Sequence, residues 1–352
     1  MELALYHPEW GYYARPPSQI GRSGDFFTSV SVGPVFGHLL ALRAVAWWQN
    51  AGNPTLWRWI EVGAHNGTLA ADALAALSRI APDAAGGVRY TIIEPLARIR
   101  RVQAETLARF GGSVCICPGA DEIATHPLPS FFVANEVLDA LPVHVVRREN
   151  GEWREQCVAL APSGAFTWTS ATITPGPLAD ALSQLPGELP DGYQTEVRTG
   201  FREFLAPYLR GMTHGRMIWI DYGFATEDYY ISGRTEGTLR TFRNHRAGSC
   251  PLSAPGEEDI TAHVDFTAFA KDAMALGATP ACFENQGTWL IRAGEAWLRS
   301  MEGNADPALI RQFRTLTHPA HLGAKFHVLE LAWKEEADSQ AAQTARTRLG
   351  IS

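Results

Sequence analysis

The stretch Trp59-Ile-Glu-Val-Gly-Ala-His-Asn-Gly-Thr68, with Tyr90-Thr-Ile-Ile-Glu94 after it, constrains this chain most. It reads as a strand, a glycine-bearing turn, a helix, then a second strand ending in an acid. That is the nucleotide-cradling half of a doubly wound α/β fold. Gly63 and Gly67 let backbone approach a ligand where a Cβ would clash. Glu94 is placed to accept hydrogen bonds from ribose hydroxyls. Glu61 departs from the dinucleotide fingerprint. A carboxylate beside the turn repels a pyrophosphate and suits a cationic ligand such as S-adenosylmethionine. The pattern favours methyl transfer over hydride transfer.

The rest of the chain extends this frame. Helices are expected over 34–50, 68–80, from Pro95 onward, and over 199–210 and 265–276. Strands are expected at 56–62, 88–94, 113–117, 131–134 and 217–220. Short strands at 143–148, 153–159 and 165–171 surround Asn150-Gly151, a strong hairpin signal. Residues 224–259 read as a long polar loop without periodicity. Two last strands, near 279–284 and 287–292, are expected to close as a hairpin on Asn285-Gln-Gly287. The predicted architecture is a Rossmann-like, mostly parallel seven-stranded sheet with a terminal β-hairpin. Its segments are a covering N-terminal stretch (1–50), a first core half (51–142), and a second core half (211–223 and 261–295). Insertions at 143–210 and 224–260 form a lid, and 296–352 is a C-terminal helical and strand segment. Both insertions follow the C-terminal ends of strands, the edge at which open sheets bind ligands.

The 352 residues carry a formal charge of −7, against the basic face a nucleic-acid partner requires. Arg98, Arg100 and Arg101 read as a solvated helix face. No apolar run reaches the ~18 residues of a membrane span. The N-terminus lacks a basic region followed by an apolar core, so no secretory signal is expected and the protein is placed in the cytoplasm. None of the five cysteines forms Cys-x-x-Cys. Cys115 and Cys117 alternate on one strand and face the same side; the cysteines are expected to be small buried hydrophobes in a reducing compartment.

Several separated segments together resemble one family, the MidA-like methyltransferases. They include Tyr6-His-Pro-Glu-Trp-Gly-Tyr-Tyr13, Gly24-Asp-Phe-Phe-Thr28, Glu61-Val-Gly63, Gly67-Thr-Leu69 and Asn135-Glu136 with Asp139-Ala-Leu-Pro-Val143. Further on come Asp221-Tyr-Gly223, Gly237-Thr-Leu239, His245 and Asp259-Ile-Thr-Ala-His-Val-Asp-Phe266. The family includes a mitochondrial complex I assembly factor that methylates a protein arginine. The resemblance implies a class I methyltransferase fold, S-adenosyl-L-methionine as cofactor, and a protein substrate. There are two departures. His65 stands where the family's first turn has its middle glycine, and Val137-Leu138 replaces an aromatic pair.

Arginine is protonated at neutral pH, so a methylating site needs carboxylates to orient it and take a proton. Glu136 and Asp139, i,i+3 after the fourth strand, are the candidates, with Asn135 and, in the long loop, His245. Glu61, Gly63, His65, Gly67 and Glu94 are expected at the cofactor. So is Asp121 for the adenine amino group, with a helix cap as its plainer role. The resemblance brings Gly24, Asp25 and Thr28 to the cofactor. Asp221 and Tyr222 are expected at the substrate, Tyr222 either as pocket wall or as core. His245, His263 and Asp265 are spaced too loosely for a metal site, and none is expected. Three functions stay open: protein arginine methylation, small-molecule methylation on the same scaffold, and a binding or assembly factor that has lost catalysis. A homodimer is also open.

Overall fold

The structure, a computed structural model, describes residues 1–15, 28–186, 189–243, 246–303 and 306–351. Gly24, Asp25 and His245 lie outside the described residues. Helix α1 (Glu2–Tyr6) leads to α2 (Val35–Asn50), β1 (Trp57–Val62), α3 (Thr68–Ile80) and α4 (Pro82–Gly87). Then come β2 (Val88–Ile93), α5 (Ala97–Leu107), β3 (Val114–Cys117), α6 (Asp121–Ala124) and β4 (Leu128–Asn135). A first insertion contributes β5 (His144–Glu149), β6 (Glu152–Leu160), β7 (Phe166–Thr172), α7 (Pro177–Leu182) and β8 (Gln194–Val197). The chain returns through α8 (Phe201–Arg210) and β9 (Met212–Phe224). A second insertion holds α9 (Thr226–Tyr229), β10 (Arg240–Arg243), β11 (Arg246–Gly248) and β12 (Asp259–Thr261). It ends with β13 (Val264–Asp265), α10 (Phe266–Ala275), β14 (Ala278–Asn285), α11 (Gln286–Ser300), α12 (Pro307–Thr317), β15 (Phe326–Trp333) and α13 (Ser339–Arg348).

Strand β1 is buried at all six positions, as a parallel strand covered on both faces must be. The sheet runs β3-β2-β1-β4-β9-β15-β14, parallel from β3 through β9, with short β13 added beside β9. Strand β15 is antiparallel to both its neighbours. The two-residue period sends Phe131 and Ile218 into one core with α2 and α3. It sends Phe132 and Trp219 into the opposite core with α8 and α10. Strand order reverses between β1 and β4, where Val62 pairs with Ala134. The turns that follow these two strands therefore lie side by side, at the switch point where open sheets take ligands.

The expected terminal hairpin is corrected. Strand β14 does pair antiparallel with a last strand, but that strand is β15, and 287–292 is the start of α11. Asn285 reads as a turn residue because it caps a helix: its side chain accepts from Thr288 N at 2.9 Å. Gly287 is required by packing, since a Cβ there would sit 2.4 Å from the Thr317 carbonyl oxygen.

The stretch 224–259 is also more ordered than its composition suggests, holding α9 and a three-stranded sheet, β11-β10-β12. The first insertion forms a second antiparallel sheet, β7-β6-β5-β8. Its β5–β6 turn places Asn150 at φ 53° and Gly151 at φ 81°, the type I′ geometry. The two insertions interlock. Buried Glu196 on β8 accepts from Thr238 N (2.9 Å), Leu239 N (3.1 Å) and Thr238 Oγ1 (2.8 Å). Gly237 makes this approach with φ +63°; a Cβ would lie 2.2 Å from the Glu196 carboxylate.

Candidate active site

The turn after β1 supplies the first half of the site. Gly63, His65 and Gly67 have φ of 74°, 46° and 83°. His65 thus keeps the backbone conformation of the glycine it replaces, at a cost of about 1–2 kcal/mol. Its carbonyl accepts from Gln103 Nε2 at 2.9 Å, which ties the turn to α5. Burial lowers its imidazole pKa, so the ring is neutral at neutral pH. Gly63 leaves its side-chain position open to solvent except for Val137 Cγ2, 2.6 Å from where a Cβ would stand.

Glu61 is 2% exposed and accepts from the Tyr90 hydroxyl at 2.6 Å. Burial pushes its carboxyl up to about 7. Glu94 ends β2 with one carboxylate oxygen on Leu96 N at 2.9 Å. Burial raises it too, against that N–H. Buried Gln103 has an Oε1 without a partner among the described residues. A glycine-like turn, a strand-end acid and an orphaned amide oxygen fit an adenosyl cofactor with a cationic amino-acid end. Glu94 would hold the ribose, and Glu61 would face the amino group.

The loop after β4 supplies the second half. Glu136 adopts φ +55°, and such strain in a non-glycine residue gathers at functional sites. Its N–H donates to the Ile220 carbonyl at 2.8 Å, and Asn135 Nδ2 donates to its Oε1 at 2.9 Å. Burial, then the charge of Asp139, pushes the Glu136 carboxyl up to about 8. Burial pushes Asp139 up to about 6 even with Arg198 nearby. Asn135 Oδ1 is buried without a partner among the described residues. The structure brings Asn135, Glu136 and Asp139 together in this loop, with no helical turn between them.

Asp221 has a different part from the one expected. Its Oδ2 accepts from the N–H groups of Val137 (3.0 Å), Leu138 (2.8 Å) and Asp139 (3.2 Å), and its Oδ1 from Tyr222 N (2.8 Å). It is spent on holding the loop. Burial and the charges of Asp139 and Glu136 raise its pKa, against four N–H groups that favour the ionised form. Tyr222 packs on Phe326 at 4.1 Å and lies near-parallel to His263 at 6.2 Å. It is half-buried beside Glu136 and Asp139, both wall and core.

Asp121 does not turn inward. Its side chain is 93% exposed and pairs with Arg210 at 3.1 Å, and the cap position of α6 belongs to Ala120. Thr28 is engaged with Ser31 in a local turn. Its neighbour Ser29 is more central: its N–H donates toward Glu136, and its Oγ donates to Gln286 Oε1 at 2.9 Å. Arg98 and Arg100 are not a solvated face. Arg98 donates to the carbonyls of Tyr13 and Arg15, and Arg100 to that of Glu94. His263 has a buried Nδ1 without a partner among the described residues, and burial together with Arg234, Arg240 and Arg198 lowers it to about 4. Asp265 caps the following helix, accepting from Thr267 N and Ala268 N. Among the described residues no three His, Cys, Asp or Glu side chains are grouped to hold a metal ion. None of their helices is long and apolar enough to cross a membrane.

Sequence reasoning missed Arg198 and the importance of Tyr6. Arg198 donates to the carbonyls of Asp139 (2.9 Å), Leu141 (3.2 Å), Ala262 (2.6 Å) and His263 (2.6 Å). Backbone acceptors leave no mark in sequence. The Tyr6 hydroxyl donates to the Ala140 carbonyl at 2.8 Å, and that of Tyr13 to Asp259 Oδ1 at 3.0 Å. The N-terminal segment thus reaches the loop after β4 and the second insertion.

Comparison with known proteins bears on this geometry. A crystal structure from Burkholderia thailandensis, bound to S-adenosyl-homocysteine, is 28% identical and covers 96% of this chain and 87% of its own, with a TM-score of 0.84. The Drosophila melanogaster homolog of the mitochondrial protein arginine methyltransferase NDUFAF7 is 29% identical over 94% of this chain and 80% of its own length. The Homo sapiens NDUFAF7 protein is 26% identical over 94% and 78%. These relatives are mitochondrial by name, which overturns the expectation of a cytoplasmic protein. The family model described as "Putative S-adenosyl-L-methionine-dependent methyltransferase" matches residues 39–283. Because that span runs from α2 into β14, across every strand of the sheet but β15, the chain belongs to this family of S-adenosyl-L-methionine-dependent methyltransferases.

Proposed function

We propose that this enzyme methylates an arginine guanidinium of a partner protein, with Glu136 and Asp139 gripping the substrate. One observation carries this reading: two carboxyls meet after β4 with raised proton affinity and, among the described residues, no Lys or Arg in ion-pair range. A guanidinium would supply the missing charge and donate in a planar fork that matches carboxylate oxygens. The relatives named as protein arginine methyltransferases support the same substrate class.

The bound cofactor supplies an electrophilic methyl group on sulfur. Glu136 and Asp139 orient the guanidinium nitrogen toward it, and one of them accepts the proton that nitrogen loses. Asn135 Oδ1 is free to accept a further N–H. His65 keeps a glycine backbone in the turn, which supports a live cofactor site over a lost one. In this reading the described parts of the N-terminal segment and of the two insertions cover the cleft, as the Tyr6 and Tyr13 hydroxyl contacts suggest.

The test is Asp139→Asn, assayed with labelled S-adenosylmethionine on protein extract, followed by hydrolysis and identification of methylarginine. The expected result is a loss of about 10²–10⁴-fold in methylation with S-adenosyl-homocysteine binding retained. Full activity in the variant, or label recovered only on small molecules, would sink the proposal.

A further inference from the structure

Two cysteines stand apart from the transfer chemistry. Cys115 and Cys117 leave one face of β3, the terminal strand of the sheet, with their Sγ atoms 3.4 Å apart. Both are free thiols. Cys117 is buried, but Cys115 is exposed, contrary to the expectation of buried inert cysteines. Their surroundings make them unequal. The Cys117 hydrogen bond, helped by Arg58, holds Cys115 at about 6 against burial and Glu122. Cys115, burial and Glu122 keep Cys117 protonated. An exposed thiolate beside a protonated thiol is poised for stepwise oxidation.

The pair also sits on a lever. Within the sheet β3 bonds only to β2, with Thr91 opposite Cys115 and Ile93 opposite Cys117. The Cys117 carbonyl then accepts the Glu94 N–H at 2.9 Å. Two strand residues span roughly 6.6 Å, near the upper limit of about 6.8 Å between the Cα atoms of a disulfide. Joining the sulfurs must pucker β3, and the bonds that yield are those to β2 and Glu94.

We propose that Cys115 and Cys117 are a hydroperoxide-sensitive dithiol, and that its closure to a 115–117 disulfide weakens cofactor binding through Glu94. In the first step the Cys115 thiolate attacks a peroxide oxygen. An S–O bond forms, the O–O bond breaks, and the departing oxygen takes a proton to leave as water or alcohol. In the second step the Cys117 sulfur attacks the sulfenic sulfur. The S–S bond forms, the S–O bond breaks, and hydroxide leaves with the Cys117 proton as water. The two thiols give up two electrons, which reduce the peroxide. The coupling to cofactor rests on the assignment of Glu94 to the ribose; the dithiol itself does not.

The experiment treats the full chain with hydrogen peroxide at neutral pH and reads two things. One is the mass of tryptic peptide 110–147, which contains these two cysteines alone. The other is calorimetric affinity for S-adenosyl-homocysteine. Expected are a dithiothreitol-reversible loss of about 2 Da in that peptide and an affinity at least about fivefold weaker. Cys115→Ser should show neither change. Progress of Cys115 to sulfinic or sulfonic acid without that loss overturns the dithiol. A disulfide with unchanged affinity overturns the coupling. Unweakened binding by reduced Glu94→Ala overturns the ribose assignment, and with it the coupling route, while the mass result still judges the dithiol.

Discussion

Two groups of buried carboxylates belong to the same sheet and have been treated in opposite ways. Glu330 on β15 is 2% exposed and fully answered. Arg43 donates to both its oxygens at 3.0 and 2.6 Å, Trp289 Nε1 donates at 2.6 Å, and Arg216 adds a further contact at 3.4 Å. The guanidiniums and N–H groups overcome burial and hold Glu330 down at about 2. Glu136 and Asp139, after β4, have hydrogen bonds but, among the described residues, no cation paired with their carboxyl oxygens, the nearby Arg198 being turned to backbone carbonyls, and they are pushed up to about 8 and about 6. The first group is complete in the folded chain. The second is left short of one positive charge at the edge where ligands bind. Buried charge alone does not mark a site; buried charge without its counter-ion does.

The contrast can be broken most forcefully at Glu136. Glu136→Gln should lower methylation by about 10²–10⁴-fold while leaving the protein folded. Equal turnover would put Glu136 outside the chemistry. Next in size is Glu330→Gln, which strands Arg43 and Arg216 beside a neutral amide. It should cost about 3–5 kcal/mol, read as a lower denaturant midpoint, with a matching loss as wild type is taken from pH 5 toward pH 2. That direction follows because a depressed folded pKa stabilises above the unfolded value and ceases to as pH falls. An unchanged midpoint would show that the cluster is not what it appears geometrically.

Glu136 and Asp139 carry the opposite sign. Their folded forms bind protons more tightly than the unfolded chain, so their stabilising protonation is full below about 4 and is lost as pH rises past 6 and then 8. Cofactor-free protein should melt a few degrees lower at pH 9 than at pH 6, and Glu136→Gln should flatten that slope. A slope unchanged by the substitution would assign the effect elsewhere. Glu61 is the intermediate case, with one neutral donor. Tyr90→Phe removes it and should cost about 1 kcal/mol, with weaker S-adenosyl-homocysteine binding. Unaltered affinity would separate Glu61 from the cofactor.

Much of the fold was legible because it follows local rules. Helix α3 begins and ends where its apolar spacing says, and Asn150-Gly151 turns as its φ preferences require. That Glu136 and Asp139 leave a strand at the ligand edge was legible; that this strand lies beside β1 came only from the structure. What failed was the choice between two structures that share a signal. Asn285 serves a turn or a cap equally well, and only the distant Thr317 carbonyl, packed on Gly287, decides. Asp221 looked like a ligand group because it ends a strand at the right edge. Its true partners are N–H groups 82–84 residues earlier, and backbone donors have no sequence signature. Arg198 was invisible for the same reason.

Glu196 on β8 and Arg198 just after it lie on one short segment. The first holds the second insertion and the second holds the catalytic loop together with residues 262–263. The consequence is that one short segment ties two distant parts of the chain to each other. The loop bearing Glu136 and Asp139 is braced by Arg198, and β8 just before it is fixed on one side by β5 and on the other, through Glu196, by the chain at Thr238. Breaking the backbone between β8 and α8 should therefore abolish activity more readily than breaking it at the exposed Ser163–Gly164 turn.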